Sequence, residues 1–153
     1  MKGIHEEQCR KTKIAYGWIY EVERSLKSLI EYHLRHEYGL GWKSKIYEKR
    51  KLEVAYFHET ISYFGKYPPL LNIFTSHELH ELYKTTTIRN RICHMKFLLE
   101  DEFEHLYGGY QMGQNKKERS IQYNHQQEML TEQYISTKRS LNFRDLFVSI
   151  KQK

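Results

Sequence analysis

The sequence predicts an all-α fold, a bundle of long antiparallel helices, on three observations. Apolar residues recur at spacings of three and four over long stretches. Apolar–polar alternation, the mark of strands, is scarce. The chain has 2 Pro, adjacent at Pro68 and Pro69, so little interrupts helix propagation. Its 153 residues suit one domain with a core of its own, and a 14% aromatic content separates it from disordered chains.

The first helix is expected from about Ile14 to Glu37. Trp18, Val22, Leu26, Leu29 and Ile30 form one apolar stripe there, and Glu21, Glu23, Arg24, Lys27 and Glu31 fill much of the rest. Gly39 and Gly41 close it. A basic stretch, Trp42 to Lys51, follows with aromatics interleaved. A second helix is expected over Val54–Phe64, broken by Gly65-Lys66-Tyr67-Pro68-Pro69, with a helical turn at Leu70–Phe74. Thr75 and Glu78 fit a capping box, and Phe74 and Leu79 a hydrophobic staple. The helix they open is expected to run from Ser76 to about Leu99, although Thr85-Thr86-Thr87 is only a fair helix former.

Beyond it, the acidic run Glu100–His105 reads as a solvated face or the acidic start of a helix. That helix is expected to end near Tyr107, at Gly108-Gly109. Gly113 to Arg119 reads as a polar linker, followed by helices near Arg119–Lys138 and Asn142–Ile150. Residues 1–112 are thus expected to form the helical domain, and 113–153 a C-terminal helical extension of it.

Several classes are excluded at this level. The opening MKGIHEEQCRKTK lacks the apolar core of a secretory signal, and no run of about 18 apolar residues could span a membrane. Cys9 and Cys93 show no metal or disulfide spacing, so a reducing, cytoplasmic setting is expected. His33 and His36, and His77 and His80, each share a helical face, but no cysteine or carboxylate cluster completes a ligand set. Neither a metal nor another cofactor is expected. The net charge of +6 permits an anionic partner such as RNA, DNA or a membrane surface, without selecting one.

The candidate chemistry lies in Arg89-Asn90-Arg91-Ile92-Cys93-His94. On an ideal helix Leu79, Leu82, Thr86, Cys93 and Phe97 share one face, and Ile88, Ile92, Met95 and Leu99 the opposite one. Asn90 falls on the first face, flanked by Arg89 and His94, about 140° apart. Histidine is the side chain best poised for proton transfer near neutral pH. Arginine is permanently charged and grips phosphate in a bidentate fork. Asn90, four residues before His94, can orient the imidazole or a phosphate oxygen.

The motif resembles that of the HEPN family of helical ribonucleases and RNA-binding domains, whose mark is Arg, four to six residues, then His, often with Asn directly after the Arg. Two further stretches are similar to family patterns: Glu23-Arg24-Ser25-Leu26-Lys27-Ser28-Leu29-Ile30 and Tyr38-Gly39-Leu40-Gly41-Trp42. The resemblance covers roughly Tyr16 to Tyr107. It implies a HEPN-like helical bundle and metal-independent cleavage of RNA, in which a ribose 2′-OH attacks the adjacent phosphate and leaves a 2′,3′-cyclic phosphate. It implies Arg89, His94, Asn90 and Glu23 as the catalytic set, with Glu23 holding Arg89 by a charge-assisted hydrogen bond. Arg91, Lys96, Arg24, Lys27, Lys43 and Lys45 are the expected RNA-binding cations, with Trp42 and Tyr47 as stacking surfaces. Two departures stand out. Lys96 occupies the place where toxin-type members carry Tyr, and Cys93, expected to be a packing residue, stands where a small residue is common.

Two main functional classes follow, beside a third reading as a structural protein that uses the second apolar face for contact in a larger assembly. One is a metal-independent endoribonuclease in phage defence (abortive infection), a toxin–antitoxin pair or RNA processing. It would work as a homodimer, with an antitoxin or partner protein as a further partner. The other is a non-catalytic module binding RNA or a partner protein. The homodimer rests on the second apolar face of the motif helix, which needs cover from a second copy or from Met129, Leu130, Tyr134 and Ile135 of the C-terminal helix.

Overall fold

Helix α1 comprises Lys2–Tyr38 in the computed structural model, which describes the backbone of residues 2–151 and the side-chain surroundings of residues 3–139. The fold is all-α, with no strand among the described residues. Ala15, Ile19, Val22, Leu26, Leu29, Ile30 and Leu34 are buried along α1 at spacings that keep one stripe inward. The helix starts well before Ile14 because polar residues without a breaker propagate a helix once it is nucleated. Gly39 ends it at φ 72°, donating its N–H to the Arg35 carbonyl at 2.9 Å. Glycine adopts that left-handed conformation without the strain a Cβ would bring.

Two short 3-10 turns, Trp42–Lys45 and Leu52–Val54, then return the chain and insert Trp42 and Leu52 into the core. Helix α2 spans Phe57–Lys66, later than the expected Val54, because Val54 belongs to the second turn. The Tyr56 N–H donates to Glu59 Oε2 at 2.9 Å and fixes the start of α2. Phe57, Thr60, Ile61 and Phe64 face inward, and Tyr67 ends the helix just before Pro68, whose ring disfavours helical backbone in its predecessor. A third 3-10 turn, Pro68–Leu70, leads to α3, Ser76–Cys93. The capping box forms as expected: Thr75 N–H donates to Glu78 Oε2 at 2.7 Å, and Glu78 N–H donates to Thr75 Oγ1 at 3.2 Å. Phe74 and Leu79 meet in the same apolar cluster, as a staple requires.

Helix α4 is continuous over Glu100–Lys151, which corrects the expected breaks at Gly108-Gly109, at 113–119 and before Asn142. The glycines are contact points. A Cβ on Gly109 would lie 3.7 Å from Thr85 Oγ1, and one on Gly113 would lie 3.8 Å from Ser25 Cβ and 4.0 Å from Val22 Cα. Small residues here let α4 lie close against α1 and α3, and that packing offsets a propensity cost of about 1 kcal/mol per glycine. Trp18 of α1 packs against Phe103 and Tyr107 of α4 at centroid distances of 4.7 and 5.0 Å. Lys116 donates to Glu78 Oε2 at 2.9 Å and sits over the Phe74 ring. The acidic run proves to be a helix start, with Leu99 N–H donating to Glu102 Oε2 at 2.9 Å.

The chain divides into two units, Met1–Lys117 and Glu118–Lys153. The first holds two apolar clusters. One gathers Val22, Leu26, Leu34, Trp42, Phe57, Phe64, Leu70 and Leu82; the other gathers Ala15, Ile19, Ile88, Ile92, Leu98 and Leu106. Each fully buried Leu, Ile or Phe contributes about 1.5–3 kcal/mol. The second unit is the remainder of α4, along which Met129, Leu130, Tyr134 and Ile135 are exposed.

The two clusters correct the two-faced reading of the motif helix. Leu82, Thr85, Ile88 and Ile92 are its buried residues, so its apolar stripe drifts around the axis from the first cluster to the second. Ile88 and Ile92 are covered by α1 and the start of α4 and need no second protomer. Met95, Phe97 and Leu99 lie beyond the end of α3 and are exposed.

Candidate functional site at the end of α3

The expected helix to Leu99 stops at Cys93, and the stop shapes the candidate site. His94 is the last half-helical residue, and Met95 takes a left-handed φ of 55°. Met95 N–H donates to the Ile92 carbonyl at 3.0 Å, and Lys96 N–H donates to the Arg91 carbonyl at 3.1 Å. These are the two hydrogen bonds of a Schellman terminator. Glycine is the usual residue at its left-handed position, and Met95 gives no such signal, so the sequence concealed the stop. Arg91 secures the loop that follows: it donates to the Phe97 carbonyl at 3.2 Å and pairs with Glu102 Oε1 at 2.9 Å.

Three motif side chains are left at the surface. Arg89 is half-buried, whereas Asn90 and His94 are exposed, which corrects the placing of Asn90 on an apolar face. None of the three makes a side-chain hydrogen bond or ion pair among the described residues. Arg89 and His94 are five positions apart, which on helix geometry is about 7.5 Å of rise and about 140° of rotation. One chain therefore presents them near each other without joining them. Cys93, expected to pack, is an exposed free thiol.

Glu23 does not hold Arg89. Its carboxylate accepts from Lys27 Nζ at 2.8 Å, and Lys27 also donates to the Glu53 carbonyl at 3.2 Å. Several expected RNA-binding cations are likewise engaged within the chain: Arg24 with Glu21 at 3.6 Å, Lys43 with Glu53, and Arg91 as above. Lys45 and Lys96 are exposed. Lys96 lines a small apolar recess of about 260 Å³ with His5, Cys9 and Phe97. Trp42 is 3% exposed and so is a core residue, which overturns its reading as a stacking surface; Tyr47, 91% exposed, keeps that role open.

A cavity of about 420 Å³ is marked by no motif of the sequence. It lies between segment 47–50, one face of α2 and Tyr83 of α3, and its lining includes Lys49, His58, Tyr63 and Lys66. Tyr63 is buried, and its hydroxyl has no hydrogen-bond partner among the described residues. Burial, and then the neighbouring Glu48 carboxylate, hold its pKa well above the ordinary tyrosine value. The signal that could have found the cavity is the polar stripe His58, Glu59, Ser62, Lys66, set at helical spacing opposite the buried Phe57, Ile61 and Phe64.

Among the described residues, no group of three or more His, Cys, Asp or Glu is arranged to hold a metal ion. No helix among them is long and apolar enough to cross a membrane. Comparison with protein-family models, with curated proteins and with solved structures gives no match.

Proposed function

We propose that the chain is a metal-independent endoribonuclease whose site is completed by two copies of the Arg89–His94 set. The single observation that carries this reading is the contrast along one turn of α3. Arg91 is tied into the fold by Glu102 and the Phe97 carbonyl, while Arg89, Asn90 and His94 stand at the end of the helix with no side-chain hydrogen bond or ion pair among the described residues. The residue types suit phosphodiester cleavage. His94 takes the proton of a ribose 2′-OH, whose oxygen attacks the adjacent phosphorus. The 5′-oxygen leaves and is protonated by water, to which His94 then returns the proton it took. Arg89 stabilises the extra negative charge on the phosphorane, and Asn90 orients a phosphate oxygen. The products are a 2′,3′-cyclic phosphate and a 5′-hydroxyl.

A dimer serves this chemistry because Arg89 and His94 diverge on one helix, so that the Arg89 of one copy can meet the His94 of the other. Its motivation is now the exposed Met95, Phe97 and Leu99 beside the motif, in place of Ile88 and Ile92. The setting proposed with it is cytoplasmic, in phage defence, a toxin–antitoxin pair or RNA processing, as the family resemblance implies. One observation favours the second reading, a non-cleaving RNA-binding module: Glu23 is engaged by Lys27 and leaves Arg89 without the expected carboxylate.

The two readings separate on labelled RNA incubated with chelator. The nuclease reading expects cleavage by the wild type and a loss of about 10²–10⁴-fold in His94→Ala, with the helical circular dichroism unchanged. RNA binding without cleavage in both proteins would establish the module instead.

A further inference from the structure

The cavity between α2, α3 and segment 47–50 combines three features that converge on one ligand chemistry. Its lining includes Tyr63, buried, with a hydroxyl that bonds to nothing among the described residues. A buried hydroxyl left unbonded costs free energy, and an occupant that accepts its hydrogen bond removes the cost. Around the wall, Arg50 pairs with Glu59 at 2.5 Å and Lys66 with Glu48 at 3.1 Å, so these charges cancel. Lys49 and His58 are exposed and make no ion pair among the described residues, so Lys49 leaves an unpaired positive charge at the cavity. At the rim stand two exposed rings, Tyr47 and Tyr83.

We propose that this cavity is a nucleotide pocket. The phosphate lies against Lys49 and His58, the base stacks on Tyr47 with Tyr83 at its edge, and a base or ribose oxygen accepts from the Tyr63 hydroxyl. The volume of about 420 Å³ lies in the range of small-molecule pockets. Aromatic faces beside a basic groove are the usual means of holding single-stranded nucleic acid without reading its sequence. The pocket shares no residue with the Arg89–His94 set, although Tyr83 stands earlier on the same helix, and the proposal does not require the chain to cleave RNA.

The same chemistry is offered by a free nucleotide and by one unit of an RNA strand, and titration calorimetry on the full chain distinguishes them. The probes are AMP, UMP, inorganic phosphate and a short 2′-O-methylated oligoribonucleotide, which carries no 2′-OH to attack with. Binding of the mononucleotides assigns a free ligand; binding of the oligonucleotide alone assigns an RNA unit; either supports the pocket, and not the Arg89–His94 set, where Tyr47→Ala and Lys49→Ala weaken it. Tyr47→Ala and Lys49→Ala, both at exposed positions, are each expected to weaken binding by about tenfold. Tyr63→Phe supplies the sharper signature, because its two effects have opposite signs. Removing an unsatisfied hydroxyl should raise the melting temperature of the free protein while weakening binding about fivefold. The proposal is overturned if neither nucleotide nor oligonucleotide binds, or if phosphate alone binds as well as they do. Binding that is unchanged in both Tyr47→Ala and Lys49→Ala would overturn it too, as would a Tyr63→Phe protein that is less stable yet binds as before.

Discussion

Replacing Met95 by glycine should make the protein more stable, although it removes a large side chain. Met95 occupies the left-handed position of the terminator that ends α3, at φ 55°, and is 91% exposed. The side chain therefore contributes almost no burial, and its Cβ imposes a strain of about 1–2 kcal/mol. Glycine relieves the strain but adds freedom to the unfolded chain, which returns about 0.5–1 kcal/mol. The net gain is about 0.5–1 kcal/mol, or about 2–3 °C in melting temperature for a chain of this size. Thermal and urea unfolding followed by far-ultraviolet circular dichroism would measure it, with Met95→Ala as the control that keeps a Cβ and should show no gain. A Met95→Gly protein less stable than the wild type would refute the terminator geometry. The end of α3 at Cys93, and with it the surface position of His94, would then need revision.

Gly108 has open space around its Cβ position, so Gly108→Ala should stabilise α4 by about 1 kcal/mol. Gly113 lies against Val22 and Ser25, so Gly113→Leu should destabilise by about 1–3 kcal/mol; urea unfolding that gave the opposite order would argue for a linker there. Burial, and then the nearby His36, lower the His33 pKa below 6.5. The unfolded chain thus takes up the proton first, and the stability contributed by neutral His33 is complete above 6.5 and lost as pH falls through the lower folded value. Urea midpoints between about pH 7.5 and about pH 5 should fall less steeply in His33→Gln than in the wild type; parallel slopes would remove His33 from the account. A site shared between copies also implies complementation. Mixing inactive Arg89→Ala and inactive His94→Ala chains should restore about a quarter of wild-type cleavage, since half the dimers are mixed and each holds one intact site; no recovery would exclude the shared site.

The helices were legible wherever one stripe of apolar residues faced one neighbour. The inward residues of α1 and the Thr75–Glu78 capping box could be read from spacing alone, because both depend on contacts a few residues apart. Three features were hidden, each for a tertiary reason. Gly109 and Gly113 look like breaks in the sequence but are points of close helix approach, which depends on Thr85, Ser25 and Val22 far away in the chain. Ile88 and Ile92 look like a second, partner-seeking face, because the sequence does not show that α1 and the start of α4 cover the far side of α3. Met95 carries none of the composition of a helix stop. For the candidate site, the motif marked which residues reach the end of α3. The commitment of Glu23 to Lys27, of Arg91 to Glu102 and of Trp42 to the core could not be read from it.

The central claim is the cleavage chemistry of Arg89 and His94, and the ends of the cut RNA test it most directly. A defined oligoribonucleotide, incubated with the pure chain and excess chelator, should yield upstream fragments whose mass corresponds to a 2′,3′-cyclic phosphate and downstream fragments with a 5′-hydroxyl. The same strand with 2′-O-methyl groups should stay intact, and both fragments should vanish with His94→Ala. Fragments ending in a 3′-hydroxyl, cleavage abolished by chelator, or undiminished cutting by His94→Ala would contradict the account.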